Sequence, residues 1–495
     1  MSQSQDSTWK NQWGYIWALI GSAVGFANIL SFSAQVYKNG GGAFLLPYGL
    51  ALFLLGIPLL LLEGIVGHHW KSPLVTAYGI AWGKIGKAFG WLAVIACLSI
   101  GGFYVVLTGY SVAYTYFSMT SQIPVDSKAF FLDSFLQATP SITEFGKISF
   151  PIFFATLFVV GATWMVLVRN IRSGIERICS IFMPLLVIIL LLFAIAVCFL
   201  PGGMDGWSYY LKPNFSKLLE PALWRDIFGQ LFFSLSLGLG IIVGYSRHTG
   251  KKANIRKAMF YVALGDFLVS FIAGFAIFGC LAHISYTQNI PFDSILTTES
   301  SFEIGFILFP KILQFFGSTL SSILGAIFFF CIFIAGITGV FSIVESIVGN
   351  VEVEFQTSRK RAVTLTLAAL LILSLLFCMG NSSHILDALV PMVLGTNMLL
   401  GGLALLLAFR PAKRGVLAPL FWSSSKKYDF YVLCLQYIAP AILAIILVEN
   451  VTQEFSSWGI GKSVRWSWFV LALAVSTFLA NLAKRRALAA NTSFA

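Results

Sequence analysis

The chain has 495 residues, of which 58% are hydrophobic and only 11% are charged. This composition excludes a soluble domain, and apolar runs of about 20 residues recur, so the sequence predicts a helical protein that crosses a membrane many times. The net charge of +12 does not indicate a nucleic-acid partner, because basic clusters and acidic loops alternate between the apolar runs. Since basic residues concentrate in cytoplasmic loops, this alternation predicts that both termini are cytoplasmic.

The first apolar run contains a candidate break. Residues 14–33 read GYIWALIGSAVGFANILSFS, and Gly21, Ser22, Gly25 and Asn28 fall where a spanning helix is normally most hydrophobic. Each Gly costs about 1 kcal/mol of helix propensity relative to Ala. Either these small residues allow close helix packing, or the helix is interrupted and its free backbone groups line a cavity.

The sixth of twelve predicted helices repeats this defect. It covers about 225–247 and has Ser234, Ser236, Gly238 and Gly240 at mid-depth. Interrupted helices at corresponding places in two halves indicate the binding site of a secondary transporter, which favours the break over the packing interpretation. The predicted fold class is therefore an all-α integral membrane protein with twelve transmembrane helices, a 5+5 inverted repeat and broken helices 1 and 6.

The predicted organisation has six parts. They are a cytoplasmic tail over 1–12, a first repeat over 13–200 (helices 1–5), an extracellular loop over 201–224, a second repeat over 225–409 (helices 6–10), helices 11 and 12 over 410–485, and a cytoplasmic tail over 486–495. The seven cysteines lie almost entirely within apolar runs and are interpreted as small buried hydrophobic residues without a disulfide or metal role. Short tails and the lack of an outer-loop cysteine pair are typical of a bacterial inner membrane protein.

Several stretches resemble the neurotransmitter:sodium symporter family, in particular its bacterial amino-acid transporter branch. WKNQWGYIWALIGSAVGFANILSFS, NGGGAFLLPY and GIPLLLLEGIVGHH resemble its first two helices, and FGQLFFSLSLGLG resembles its helix 6. SFIAGFAIF and FIAGITG resemble its helices 7 and 8, so the similarity extends along essentially the whole chain. The resemblance implies the leucine-transporter fold and a sodium-coupled symporter that works by alternating access.

The resemblance also implies two sodium sites, from which one or two ions would be co-transported. The ligands of the first would be Ala23, Asn28, Ser234, Asp266 and the substrate carboxylate. The ligands of the second would be the carbonyls of Gly21, Val24 and Ala335 and the hydroxyl of Thr338. Both sets consist of oxygen atoms, which hard cations prefer.

The implied substrate site adjoins both ions. Its amino group would meet the carbonyls of Ala23, Phe233 and Ser234. Its carboxylate would meet the backbone amides of Phe26 and Ala27, at the positive end of a half-helix, and the hydroxyl of Tyr104. Its side chain would be enclosed by Ile100, Phe233, Ser236, Leu239, Gly339 and Ile343.

Gly25 indicates the class of substrate. Amine-transporting members of the family carry an acid at this position, which pairs with a ligand that lacks a carboxylate. With Gly25 here, the ligand must bring its own carboxylate, and the apolar lining favours a neutral, hydrophobic amino acid. The expected partners are this amino acid and the lipid bilayer, with no nucleic acid and no enzymatic constellation.

Asp266 stands where the family usually has Asn. A fixed carboxylate beside sodium would replace the chloride that other members use, which predicts chloride-independent transport. The alternative is a protonated Asp266 held by hydrogen bonds. Ser270 lies one helical turn away on the same face and favours the first interpretation.

Other departures leave the coupling and the gates open. Gly339 replaces a Ser whose hydroxyl is a ligand of the second sodium in the family, so one sodium, or a proton in place of the second, would be consistent with the sequence. The outer-gate ion pair of the family is replaced by Ser31 and, near the other position, Val390 or Pro391. These changes keep two alternatives: sodium-independent or proton-coupled amino-acid transport, and a non-transporting amino-acid sensor.

The inner gate departs from the family as well. Asp6 and about Val353 occupy the two positions of the inner-gate ion pair, and Arg247 or Lys10 are candidate partners for Asp6. Trp9, which plugs this end in the family, is retained, and Glu345 in helix 8 has no partner that the sequence identifies.

Overall fold

The structure is a computed structural model that describes residues 8–295, 304–314, 317–409, 426–455 and 459–492. Within these ranges every regular element is helical, apart from one isolated β-bridge between Ile148 and Met379. Ten helices of the described ranges are long and apolar enough to cross a membrane, and the bent pair Gln12–Ala23 and Ala27–Lys38 makes an eleventh span. With the two short halves Pro221–Ser234 and Ile241–Ser246 counted as one further span, the order matches the twelve that the sequence predicts. They are α1 (Gln12–Ala23 and Ala27–Lys38), α2 (Gly42–Trp70), α3 (Leu74–Met119), α4 (Phe150–Leu167), α5 (Arg172–Cys198), α6 (Pro221–Ser234 and Ile241–Ser246), α7 (Ile255–Gln288), α8 (Thr319–Phe355), α9 (Arg359–Cys378), α10 (Ser382–Ala408), α11 (Phe430–Phe455) and α12 (Ile460–Leu482).

Helix α1 is broken at the predicted place. Its first half begins at an N-cap, where the side chain of Asn11 accepts a hydrogen bond from the backbone N–H of Gly14. The half ends at Val24, whose backbone is extended at φ −73° and ψ 118°. The chain resumes as a helix at Ala27 after a bend of 59°. Regular helical hydrogen bonding is therefore interrupted between the halves, although the N–H of Val24 still donates to the carbonyl oxygen of Ile20 at 2.7 Å.

Helix α6 unwinds over residues 235–240, between its two halves. Ser236, Gly238 and Gly240 have φ angles of 53°, 80° and 74°, in the left-handed region that favours glycine. The buried carboxyl group of Glu63 in α2 accepts a hydrogen bond from the backbone N–H of Gly238 at 2.8 Å. This bond satisfies one of the amides that the unwinding releases.

The broken helices lie in the interior of the bundle. In the most hydrophobic 18-residue stretch of each helix, 89% of the residues of α3 and 83% of those of α8 are buried. The corresponding shares are 33% for α5 and 17% for α12. Exposed apolar side chains such as Ile188 of α5 and Val470 of α12 cover the outside, which suits contact with lipid. Six of the seven cysteines are buried, Cys198 being the exception, which agrees with their interpretation as small buried hydrophobic residues.

Candidate substrate and ion site

A small cavity of about 30 Å³ lies between the two breaks and the neighbouring helices. Its wall is formed by Ser22, Ala23, Gly25, Ala27, Ile100, Tyr104, Phe233, Ser236, Leu239, Ile241, Gly339, Ser342, Ile343, Leu394 and Met398. The structure thus brings together all the residues predicted for the substrate except Phe26 and Ser234, which lie beside this wall.

Sequence reasoning missed several residues of this wall. Ser22 and Ile241 flank the breaks of α1 and α6, so their nearness to the breaks was a usable signal. Leu394 and Met398 come from α10, where ordinary apolar residues give no indication that they reach the cavity. For finding the residues of the cavity wall, nearness to a helix break is therefore more informative than residue type.

Tyr104 closes the cavity on one side. Its hydroxyl oxygen lies 3.4 Å from the backbone nitrogen of Phe26, and the two rings meet edge to face at 5.1 Å. A Cβ atom at Gly25 would overlap the Tyr104 hydroxyl, and one at Gly339 would lie 2.8 Å from it. The phenol ring therefore occupies space that only glycine leaves free at these two positions.

Asp266 lies behind this cavity at the centre of a polar cluster and is fully buried. The Ser234 hydroxyl is 2.8 Å and 3.0 Å from its two carboxylate oxygens, and Nδ2 of Asn28 donates to Oδ1 at 2.7 Å. Ser270 donates its hydroxyl hydrogen to the Asp266 carbonyl at 3.0 Å. No Lys, Arg or His of the described residues forms an ion pair with Asp266.

One predicted sodium ligand is oriented differently from what the resemblance implies. The side-chain oxygen of Asn28 accepts a hydrogen bond from the backbone N–H of Gly25 at 2.8 Å, and the amide nitrogen faces Asp266. The carboxylate is a strong acceptor and draws the donor side of the amide towards itself. A cation at Asp266 would remove this preference, because it competes for the same carboxylate oxygens.

Two of the residues predicted for the second sodium, Gly21 and Thr338, lie close together. A Cβ atom at Gly21 would lie 3.3 Å from Cβ of Thr338, so α1 and α8 approach closely without a side chain between them. The hydroxyl of Thr338 is 3.0 Å from the carbonyl oxygen of Ile334 and 3.2 Å from that of Ala335. Val24 lies in the extended segment between the halves of α1.

A larger cavity of about 460 Å³, the vestibule, begins on the other side of Tyr104 and Phe233. Its wall includes Phe26, Val390 and Pro391. It also includes Ser31, whose hydroxyl donates to Oε1 of Gln230 at 2.8 Å. The position that carries an arginine in the family's outer gate is therefore held by a neutral hydrogen bond.

The opposite end of the bundle, which we call the N-terminal face, is closed. Trp9 is buried and donates from Nε1 to the carbonyl oxygen of Tyr245 at 2.9 Å. Glu345, for which the sequence identified no partner, contacts the guanidinium groups of Arg359 at 2.8 Å and Arg247 at 3.6 Å and the imidazole of His248 at 3.8 Å.

Arg247 was one of two candidate partners for Asp6, which lies outside the described residues, and Arg247 contacts Glu345 and Glu352 in the structure. The backbone N–H of Lys10, the other candidate partner, donates to Oε2 of Glu176 at 2.8 Å.

Comparisons with known proteins agree with this geometry. The model of the sodium:neurotransmitter symporter family matches residues 6–128 and 124–483. An uncharacterised sodium-dependent transporter of Methanocaldococcus jannaschii is 36% identical over 390 residues, which cover 78% of each chain. Another, from Haemophilus influenzae, is 28% identical over 408 residues, covering 80% of this chain and 82% of the relative.

A solved structure has the same fold. The crystal structure of MhsT in complex with L-phenylalanine matches with a TM-score of 0.78 and 27% identity, and the match covers 90% of this chain and 99% of MhsT. The relatives found are named as transporters and not as enzymes. The chain is therefore a member of the sodium:neurotransmitter symporter family, as its sequence predicts.

Proposed function

We propose that this protein is a sodium-coupled, chloride-independent symporter of a neutral, hydrophobic amino acid that works by alternating access. The observation that carries the proposal is the carboxylate of Asp266, which is fully buried among neutral hydrogen-bond donors beside the broken helices. A charge buried in a membrane protein is costly unless an opposite charge accompanies it.

Sodium supplies that opposite charge. A hard cation binds oxygen atoms, and Asp266 and Ser234 offer them side by side at the break of α1. One ion would bind there, and a second would bind at Gly21, Val24, Ala335 and Thr338. The absence of a hydroxyl at Gly339 leaves the second set one oxygen short of the family's pattern, so we propose one or two co-transported ions.

The same carboxylate accounts for chloride independence. It places a fixed negative charge next to the ion, so that the charge of the sodium is balanced without an anion from solution. Asp266→Asn keeps the hydrogen-bonding shape of the side chain and removes the charge. Transport by this variant is expected to require chloride.

The cavity wall supports a neutral amino acid as substrate. No wall residue carries a charged side chain, so a charged substrate side chain would find no counter-ion there. An acidic side chain at position 25 would collide with Tyr104, so the wall offers no carboxylate to the substrate. The substrate amino group would then bind carbonyl oxygens, and the substrate carboxylate would bind backbone amides. MhsT, the related transporter of known structure, has been crystallised with L-phenylalanine.

We place the protein in the bacterial inner membrane with the N-terminal face in the cytoplasm. The basic residues of the 169–177, 247–257 and 359–361 segments lie in loops or helix ends on this side. The vestibule then opens to the outside, and the contacts of Trp9 and Glu345 close the inside. In the other state of the transport cycle, the vestibule would be closed and the N-terminal face would be open.

The test is uptake of labelled amino acids by purified protein in liposomes. Uptake of phenylalanine, leucine or methionine driven by an inward sodium gradient, and unchanged when gluconate replaces chloride, is the expected result. Uptake driven only by a proton gradient would establish the proton-coupled alternative, and binding without uptake would establish a sensor. Chloride dependence of the wild-type protein would contradict the role of Asp266.

A further inference from the structure

An ion pair joins α6 and α11, two helices that line the vestibule, and we propose that it is the outer gate latch of this transporter. It joins Arg225 of α6 to Glu449 of α11, with Nη1 of Arg225 3.5 Å from Oε1 of Glu449. The inference rests on the transport function proposed above and adds the pair of residues that governs access to the vestibule. Both act by positioning helices, because neither lies in the wall of the central cavity.

The charges of the vestibule are concentrated at one place. Its wall is otherwise neutral, and the charged side chains in the described wall are those of Arg225 and Asp226. The residues at the family's gate positions, Ser31 and Val390 or Pro391, cannot form an ion pair. An electrostatic gate at this end must therefore use Arg225 or Asp226.

The two neighbouring charged residues of α6, Arg225 and Asp226, contact different helices. Asp226 faces α1, where its carboxylate lies 3.3 Å from Nζ of Lys38 and 3.3 Å from Nδ2 of Asn39. Gln230, one turn further along α6, donates from Nε2 to the carbonyl oxygen of Ala27 at 2.8 Å. These contacts join the vestibule halves of α1 and α6 into one unit.

Arg225 lies beside Asp226, with Nε of Arg225 3.9 Å from Oδ1 of Asp226, and the far end of its guanidinium group extends to a different helix. It reaches Glu449 on α11, next to Asn450, whose Nδ2 donates to the carbonyl oxygen of Gly395 in α10 at 3.4 Å. The pair thus links the α1–α6 unit to the α10–α11 side of the vestibule. Breaking this contact removes an electrostatic tie between the two sides, which otherwise meet through the packing of α6 against α10.

The attraction between Arg225 and Glu449 is weak enough to form and break repeatedly, as a gate requires. The side chains of Arg225 and Glu449 are 33% and 36% exposed, so water and salt screen the attraction between them. A fully buried pair would hold the mouth shut, whereas an exposed one forms and breaks readily. Opening of the vestibule should therefore become easier as ionic strength rises.

The experiment measures access to the vestibule with a cysteine introduced as Val390→Cys, in the vestibule wall. Its rate of reaction with a charged thiol reagent is measured in sodium, without amino acid, in proteoliposomes of the full chain. The protein without this substitution supplies the background from the native cysteines. Arg225→Glu and Glu449→Arg each place two like charges together, and the double variant restores the pair in reverse.

We expect each single variant to react several-fold faster than the parent, and to have a raised KM with little change in kcat. The double variant should return both values towards those of the parent. The control exchanges Lys217 and Glu220, an ion pair of 3.2 Å and similar exposure outside the vestibule wall, and should change neither value.

Two outcomes would overturn the gate latch: unchanged reactivity in both single variants, or a double variant as impaired as the single ones. The thiol reaction needs no substrate, so it reports on the latch even if no neutral amino acid is transported. A protein that transports nothing yet responds to the charge exchange would contradict only the proposed function.

Discussion

Glu345 and Arg359 make the shortest contact in the charge cluster of the N-terminal face, with Oε2 of Glu345 2.8 Å from Nη2 of Arg359. Glu345 is buried and belongs to α8, whereas Arg359 begins α9 and Arg247 follows α6. The carboxylate therefore connects three helices through charges that have little access to water. Its loss leaves Arg247 and Arg359 with the carboxylate of Glu352, which lies 3.5 Å and 3.9 Å from them and is partly exposed, as their counter-ion.

We expect Glu345→Ala to lower the free energy of unfolding by about 2 kcal/mol, because it removes the buried carboxylate that contacts both guanidinium groups and leaves them only Glu352. The measurement is thermal or denaturant unfolding in detergent, with wild-type protein at the same ionic strength. Glu345→Gln keeps hydrogen bonding to the guanidinium groups and should lose less. The exposed pair of Lys217 and Glu220 provides the control, since Glu220→Gln should cost under about 0.5 kcal/mol. Equal stability of Glu345→Ala and wild type would show that the cluster does not hold this face together.

Local sequence features predicted the helices and their breaks better than they predicted which side chains contact each other. The glycines and polar residues of α1 and α6 are poor helix formers at mid-membrane, so both breaks were predictable from short windows. The partners of Glu345 and of Arg225 were not, because Arg247 and Glu449 lie far away in sequence and any of several basic or acidic residues was an equal candidate. The orientation of the Asn28 amide was also hidden, since it depends on the competing donors around Asp266.

Lys71 gives a pH dependence with a defined sign. It lies between α2 and α3, donates to Oγ1 of Thr249 at 3.1 Å, and partial burial lowers its pKa to about 8. Between pH 8 and the usual lysine pKa near 10.5, the unfolded chain binds more protons at this residue than the folded chain. The contribution of Lys71 to stability therefore rises with pH across this window. Comparing the melting temperature of wild type and Lys71→Met from pH 7.5 to 10.5 should show a smaller rise for the variant, and parallel curves would refute the assignment.

Substitutions at Gly339, which faces Tyr104, test whether the hydroxyl missing from the second ion site affects amino-acid and sodium binding. A Cβ at position 339 would lie 2.8 Å from the Tyr104 hydroxyl and 2.9 Å from Cε1, so Gly339→Ala must displace the ring. We expect Gly339→Ala and Gly339→Ser to weaken amino-acid binding alike, by about tenfold, which corresponds to roughly 1.4 kcal/mol of steric cost. Adding Tyr104→Phe to Gly339→Ala removes the closest atom and should recover part of the melting temperature of the substrate-free protein. It should not restore amino-acid binding, because it also removes the hydroxyl expected at the substrate carboxylate.

Gly339→Ser would behave differently if the second ion were limited by its oxygen count. It would then lower the sodium concentration needed for half-maximal binding, while Gly339→Ala would not. The sodium dependence of binding in the two variants distinguishes the steric effect from the ligand effect. A gain in sodium affinity confined to the serine variant would contradict the steric interpretation.

Ser22 and Thr108 are two buried hydroxyl groups with opposite surroundings. Thr108 donates to the carbonyl oxygen of Tyr104 at 2.8 Å, as buried helical threonines commonly do. The hydroxyl of Ser22, in the wall of the central cavity, has no partner among the described residues. An unpartnered buried hydroxyl contributes nothing to stability, whereas a bonded one contributes about 1 kcal/mol.

Thr108→Val should therefore lower the melting temperature of the substrate-free protein, and Ser22→Ala should leave it unchanged or raise it. If the substrate is hydrophobic, Ser22→Ala should also bind phenylalanine at least as tightly as wild type, because it removes a polar group from an apolar contact. Both quantities come from one thermal-shift titration with phenylalanine and, for comparison, serine. Weaker phenylalanine binding by Ser22→Ala together with unchanged stability would mean that the Ser22 hydroxyl bonds the substrate, and the hydrophobic assignment of the pocket would have to be abandoned.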